Sequence, residues 1–223
     1  DKYFKTLNNS KINLIDTAQE YSDAEELIGK YLSLKKKIIT KVKPMREISQ
    51  SKKLEYFKKS LETSMKKLKR EKIYGLLLHD ENDIFQNDDF YKFIEEIKKN
   101  KIIKKFGYST YDIFKDNIYK RYFNFDLLQA PFNIFDANSR KIKMFKQIRK
   151  NKEIHIRSIF LQGLVLNEQN ANSSYKSIKD KLNIMDNLIS KKNIKNRYQY
   201  VISLIKNLNI ADYCIIGCLN HYE

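Results

Sequence analysis

Apolar and polar positions follow two different rhythms along this chain. Short runs that are apolar at almost every position predict β-strands, and the longer segments between them carry apolar residues every three or four positions, which is typical of amphipathic helices. Strands are predicted at residues 12–18, 37–42, 74–79, 103–109, 126–130, 153–159 and 213–217. Helices are predicted at residues 24–34, 54–68, 88–100, 111–122 and 139–150, with a further pair across 175–208. Strand and helix therefore alternate along the sequence.

This alternation also predicts the fold. Several of the strands are apolar nearly throughout, as parallel strands buried on both faces must be. Parallel strands joined by crossover helices form open sheets or barrels, and seven of them favour a single-domain (β/α)8 TIM barrel over residues 1–223. A complete barrel takes about 250 residues. Residues 1–10 have the pattern of a helix end with no strand before it, so we expect the first barrel strand to be missing.

The chain is strongly basic. Its 44 lysines and arginines against 27 acidic residues give a formal net charge of +17. Such an excess can serve a polyanionic partner, but the bases are spread along the whole chain, and the longest pure run is Lys35-Lys36-Lys37. The sequence contains no compact basic cluster interleaved with aromatics and no nucleic-acid motif, so no nucleic-acid partner is expected.

Targeting and metal signals are also missing from the sequence. With no signal peptide and no long apolar segment, we expect a cytoplasmic protein without a membrane partner. The histidines and cysteines lack metal-ligand spacing, so no metal site is expected.

Candidate chemistry lies where the predicted strands end, because active sites of such barrels gather at the carboxyl ends of strands. Four residues there suit the protonation of a carbonyl oxygen while hydride reaches its carbon: Asp16, Tyr21, Lys41 and His79. A tyrosine hydroxyl is a poor acid at neutral pH, but a nearby ammonium stabilises its phenolate. A carboxylate keeps that ammonium in place, and a histidine beside the tyrosine donates to the substrate oxygen.

The motifs around these residues resemble those of the aldo-keto reductase family. The matching segments are DTAxxY at 16–21 followed by AExxIG at 24–29, IITKV at 38–42, SLxxSMxxL at 60–68 leading to LLLH at 76–79, FGYST at 106–110, and QAPFN at 129–133. They occur in the family's order, from about residue 11 to the end of the chain.

The resemblance implies a barrel that reduces an aldehyde or ketone to an alcohol with NADH or NADPH. Tyr21 is implied to be the general acid, Lys41 and Asp16 to support its ionisation, and His79 to orient the carbonyl of a small-molecule substrate. A sugar-related substrate is a weaker expectation. The family also continues past strand eight, so we expect its C-terminal helices and loop to be missing here.

The resemblance implies a cofactor site as well. Its expected residues are Ser109 and Gln129 at the nicotinamide carboxamide, Arg157, Ser158, Phe160 and Gln162 along the nicotinamide and pyrophosphate, and Gly217 before the loop at the adenosine. The sequence departs from the family at four positions: Ser22 replaces the usual glycine, Thr110 a common asparagine, Arg157 an aromatic residue, and Tyr74 the acid that often opens the strand before His79. The alternative function is a non-catalytic barrel that binds nicotinamide nucleotide as a sensor or partner module.

Overall fold

The computed structural model of the chain describes residues 2–84, 87–115, 124–166 and 176–217, which fall into two compact units. The first unit is the described part of Asp1–Gln129 together with Gly217. The second unit is the described part of Ala130–Ile216. The expectation that these units form one domain stays a prediction.

The first unit alternates helices and parallel strands. Its helices are α1 (Lys2–Asn9), α2 (Ala24–Tyr31), α3 (Gln50–Leu68) and α4 (Asp88–Lys99). Its strands are β1 (Leu14–Asp16), β2 (Lys37–Val42), β3 (Ile73–Leu78), β4 (Ile103–Ser109) and the first part of β5 (Leu127–Pro131). Each strand pairs in parallel with the next one in the chain. Short 3-10 turns follow β3 at Glu81–Asp83 and β4 at Ile113–Lys115.

The core of the first unit follows from its apolar strands. All six residues of β3 are buried, as expected for a strand with a neighbour on each side and helices against the sheet. Three phenylalanines join α3 and α4 to β4: the ring of Phe57 lies 4.9 Å from that of Phe90 and 6.0 Å from that of Phe106. Their edge-to-face geometry is the arrangement that aromatic rings prefer.

The second unit contains the end of β5 and the strands β6 (Glu153–Arg157) and β7 (Tyr213–Cys214). Its helices are α5 (Ser139–Arg149), α6 (Lys176–Lys191) and α7 (Arg197–Leu208). The Phe132 N–H donates to the Arg157 carbonyl at 3.0 Å, and β6 pairs in parallel with β7. Asp212 accepts from the Ile154 N–H at 2.8 Å and from the guanidinium of Arg149. These contacts join β6 to the approach to β7 and the end of α5.

The predicted elements compare closely with the observed ones. The bounds of β2 and β4 are those predicted, whereas β1, β6 and β7 are shorter than the runs at 12–18, 153–159 and 213–217. Apolar runs overestimate a strand's length where the neighbouring strand offers few backbone partners, as for β1, which pairs over three residues. Most of the helix predicted at 111–122 lies outside the described residues. None of the described helices is long and apolar enough to cross a membrane.

Candidate active site

The centre of the candidate site is an ion pair between two neighbouring strands. Asp16 is the last residue of β1, and its register partner in β2 is Ile39, two residues before Lys41. Lys41 Nζ donates to Asp16 Oδ2 at 2.6 Å and to the Thr17 carbonyl at 2.9 Å. The Lys41 side chain is only 1% exposed and that of Asp16 13%. An ammonium so far from water is stable only beside a carboxylate, so each residue accounts for the other.

Tyr21 lies above this ion pair. Lys41 Nζ is 5.1 Å from the centroid of the Tyr21 ring, and the His79 ring meets the same tyrosine edge-on, with centroids 5.9 Å apart. Tyr21 is 46% exposed, so a small molecule can reach it from solvent. The structure thus brings together the four residues predicted from sequence: Asp16, Lys41, His79 and Tyr21.

Gln19 fixes the loop that carries Tyr21, a role that sequence reasoning missed. Its side-chain amide donates to the Ser60 carbonyl at 2.7 Å and to Ser64 Oγ at 2.8 Å, both on α3. Its Oε1 accepts from the Lys43 N–H at 3.0 Å, and its own N–H donates to the Lys41 carbonyl at 3.1 Å. Ser60 and Ser64 are one helical turn apart and face the same way, which was the available signal for a partner against this face of α3.

Glu20 is the second residue that sequence reasoning missed. Its Oε2 lies 2.8 Å from His79 Nδ1, within ion-pair distance of the imidazole ring beside Tyr21. The backbone N–H of His79 donates to the Val42 carbonyl at 3.2 Å, which places this residue at the end of the β2–β3 pairing. The acid next to Tyr21 in the sequence was the only available hint, because its partner is far along the chain.

Gln129 joins the same network from β5. Its Nε2 donates to Asp16 Oδ1 at 2.8 Å, so the two oxygens of Asp16 serve Gln129 and Lys41 separately. Gln129 is buried and pairs in register with Ser109, the buried last residue of β4. Close approach of these strands requires Gly107, because a Cβ there would lie 1.8 Å from the Leu127 carbonyl oxygen. The two carboxamide-binding candidates therefore lie side by side.

Acidic residues after His79 connect the loops around the site. Asp80 accepts from the Asn82 N–H at 2.9 Å and pairs with Arg46 in the loop after β2. Burial by itself raises the pKa of Asp80, but these hydrogen bonds outweigh it and hold the pKa below its ordinary value. Asp83 accepts from the Met45 N–H at 2.8 Å, and burial raises its pKa. The loops after β2 and β3 are therefore joined beside the candidate site.

Glu81 makes the corresponding connection to the loop after β4. It accepts from the Thr110 hydroxyl and, at 3.1 Å, from the Tyr111 N–H. Thr110, one of the positions that departs from the family pattern, thus uses its hydroxyl within the protein. The three loops form a linked wall on one side of the candidate site.

The remaining cofactor candidates lie in other parts of the described chain. Arg157 ends β6, and the segment after it winds tightly, with positive φ at Ser158 (63°) and Gln162 (56°). Within the second unit, the Phe160 ring stacks on the Tyr198 ring, with centroids 5.4 Å apart. Gly217 is exposed after β7. The cofactor roles of these residues remain predictions.

Ser22 carries backbone strain directly after Tyr21. Its φ of 49° is in the left-handed region, where a side chain costs about 1–2 kcal/mol. Glycine removes that cost at the expense of unfolded-chain entropy. We expect Ser22→Gly to raise the free energy of unfolding by about 0.5–1 kcal/mol in urea titration, after allowing for both effects. Ser22→Ala, which keeps the Cβ, is the matched control. A glycine variant less stable than both the unmutated chain and Ser22→Ala would contradict the backbone strain assigned to Ser22.

Comparison with known proteins gives a consistent pattern. The sequence model of the Aldo/keto reductase family matches residues 5–209. Among solved structures, the aldo-keto reductase AKR11C1 from Bacillus halodurans in its holo form superposes with a TM-score of 0.77 at 18% identity, covering 99% of this chain and 77% of that one. The glycerol dehydrogenase AKR11B4 from Gluconobacter oxydans gives 0.74 at 18% identity, with 96% and 74% covered. No curated protein matches the chain. The structural matches confirm the predicted barrel fold.

Proposed function

Because this chain belongs to the aldo/keto reductase family, we propose that it is an NAD(P)H-dependent oxidoreductase that reduces an aldehyde or ketone to an alcohol. The main support for this proposal is the buried ion pair of Lys41 and Asp16 beneath an accessible tyrosine. A nearby ammonium makes a tyrosine hydroxyl a better proton donor, because it stabilises the phenolate left behind.

Each residue of the site has a separate task in this reaction. When bound, the nicotinamide supplies the hydride that forms the new C–H bond at the carbonyl carbon. The Tyr21 hydroxyl gives its proton to the carbonyl oxygen, and the resulting phenolate is stabilised by Lys41. Asp16 keeps Lys41 in position, and His79 contacts the same oxygen as a hydrogen-bond donor. Protonation from solvent restores the tyrosine after the alcohol leaves.

The side chains at the ends of β4 and β5 have the chemistry that a nicotinamide carboxamide needs. Ser109 offers a hydroxyl donor for the carboxamide oxygen. Gln129 has committed its Nε2 to Asp16, so its carbonyl oxygen is the atom that accepts from the carboxamide NH2. Arg157, Ser158, Phe160 and Gln162 are proposed to hold the rest of the dinucleotide, with the guanidinium of Arg157 stacking where other members use an aromatic ring. Gly217 is proposed to precede the adenosine contacts.

The test is a titration of the purified chain with NADH and NADPH, followed by turnover assays. We expect nicotinamide fluorescence to change saturably with at least one of the two nucleotides. We then expect nucleotide oxidation with some member of a carbonyl panel that includes simple aldehydes and aldose sugars. Failure to bind either nucleotide would contradict the proposal. Binding without turnover across the whole panel would favour the non-catalytic sensor instead.

A further inference from the structure

A basic cavity opens at the end of the first unit opposite the candidate active site. It is about 600 Å³ in volume and lies at the amino ends of β2, β3 and β4, whereas Lys41 and His79 lie at the carboxyl ends of β2 and β3. Eight of its thirteen lining residues are lysine or arginine, and none is acidic. Its volume is within the usual range of small-molecule sites, about 300–1,000 Å³. We call it the basic cavity.

Six lysines of the basic cavity have no carboxylate at ion-pair distance among the described residues: Lys35, Lys36, Lys37, Lys72, Lys101 and Lys104. Lys98 is different, because it pairs with Asp126 at 3.0 Å and with Glu95. Lysines gathered in one concavity repel each other, and the walls concentrate their field on any anion that enters. The positive potential of the cavity therefore remains available to a ligand.

Two of these lysines are held in place by an aromatic ring. Lys37 Nζ lies 5.1 Å and Lys104 Nζ 5.6 Å from the centroid of the Tyr74 ring, which is only 9% exposed. A cation over such a ring gains from the ring quadrupole. The two ammonium groups are thus positioned on β2 and β4, with the tyrosine of β3 between them.

The rim of the basic cavity is anchored by backbone contacts. Arg70 donates to the Leu32 and Ser33 carbonyls at 3.0 and 3.2 Å, and Lys36 Nζ donates to the Ser10 carbonyl at 2.8 Å. Burial lowers the pKa of the Arg70 guanidinium. These two cations hold the segment between α2 and β2, so the segment bearing Lys35 and Lys37 is positioned before any ligand arrives.

We infer that the basic cavity binds a compact polyphosphorylated anion, that is, a small molecule or short oligophosphate carrying several phosphate groups. Phosphate oxygens accept charge-assisted hydrogen bonds from ammonium groups, and several phosphates together neutralise several lysines. A concavity of this size suits a compact ligand better than an extended nucleic-acid strand. Because the basic cavity uses none of the residues assigned to carbonyl reduction, this inference stands apart from the proposed function.

Tripolyphosphate is the probe for this site, titrated calorimetrically into the full chain. We expect saturable binding that weakens as salt rises, because free charges are screened. The triple variant Lys37→Gln, Lys72→Gln, Lys104→Gln is expected to bind at least about 10-fold more weakly. The matched control replaces Lys52, Lys143 and Lys146 with glutamine; these three lysines are exposed and outside the cavity. The control is expected to change the affinity for tripolyphosphate less than about 2-fold.

A second measurement on the unmutated chain avoids any dependence on variant folding. Tripolyphosphate is expected to protect Lys37, Lys72 and Lys104 from chemical acetylation, read by mass spectrometry, and to leave Lys52, Lys143 and Lys146 unprotected. Equal weakening by the two triple variants, equal protection of the two lysine sets, or absence of tripolyphosphate binding would overturn the inference. Tighter binding of a single-stranded DNA oligonucleotide through the same three lysines would overturn it in favour of a nucleic-acid site.

Discussion

The Tyr21→Phe variant is expected to lose at least about 100-fold in kcat for aldehyde reduction, because proton donation by a positioned side chain contributes about 10²–10⁴-fold. Phenylalanine keeps the ring that contacts Lys41 and His79, so the loop and the ion pair beneath it are expected to stay in place. Nucleotide affinity is therefore expected to remain at the value of the unmutated chain. Steady-state turnover and nucleotide titration of the same preparation measure the two quantities.

Tyr3→Phe is the matched control for this variant. Tyr3 is on α1 and is 39% exposed, close to the exposure of Tyr21, but it lies outside the candidate site. We expect its kcat to be unchanged. If Tyr21→Phe retained full turnover, another group would be the proton donor and the assigned mechanism would be wrong. A parallel loss of nucleotide affinity would instead indicate that the variant disturbs the cofactor site.

The Lys41→Met variant has the largest expected effect on stability. It leaves Asp16 poorly hydrated and without its cation, a change that typically costs about 3–5 kcal/mol in a buried pair. Asp16 keeps the hydrogen bond from Gln129, which is neutral and does not replace the lost charge. We expect the free energy of unfolding to fall by about 3 kcal/mol or more in urea titration, and aldehyde turnover to be lost as well.

The double variant Asp16→Asn, Lys41→Met separates the ion pair from simple packing. Removing both charges leaves no unpaired carboxylate, so the double variant is expected to be more stable than Lys41→Met alone. Both variants lack the ammonium, and both are expected to be inactive. A cost below about 1 kcal/mol for Lys41→Met would show that water solvates Asp16 in place of the lysine.

Parts of this protein that depend on neighbouring residues in the sequence were predictable. The apolar runs of β2 and β4 specify strands with the observed bounds, because each strand is buried along nearly its whole length. Asp16, Lys41 and His79 were found because a parallel strand leads each one to the same edge of the sheet. Asp23 is at the N-cap position of α2, as an acidic residue before a helix indicates, but its side chain makes no capping hydrogen bond. Local residue type indicates a possible helix start but does not determine which side-chain atom is used there.

The contacts that sequence reasoning missed all join distant segments. Glu20 meets His79, and Gln19 meets Ser60 and Ser64, across 41 to 59 residues of chain. The basic cavity has the same origin, because Lys37, Lys72 and Lys104 are scattered in sequence and meet only where the amino ends of parallel strands come together.

By itself, then, the sequence determined the alternation of strand and helix, the barrel class and the identity of the catalytic candidates, since hydrophobic period and short motifs are local properties of the chain. Only the tertiary structure decided which side chains meet: that Asp16 accepts from both Lys41 and Gln129, that Glu20 lies at ion-pair distance from His79, and that dispersed lysines surround one cavity. The physical reason is that these interaction energies depend on distances of a few ångströms between side chains. The separation of two residues along the chain does not determine the distance between them in space.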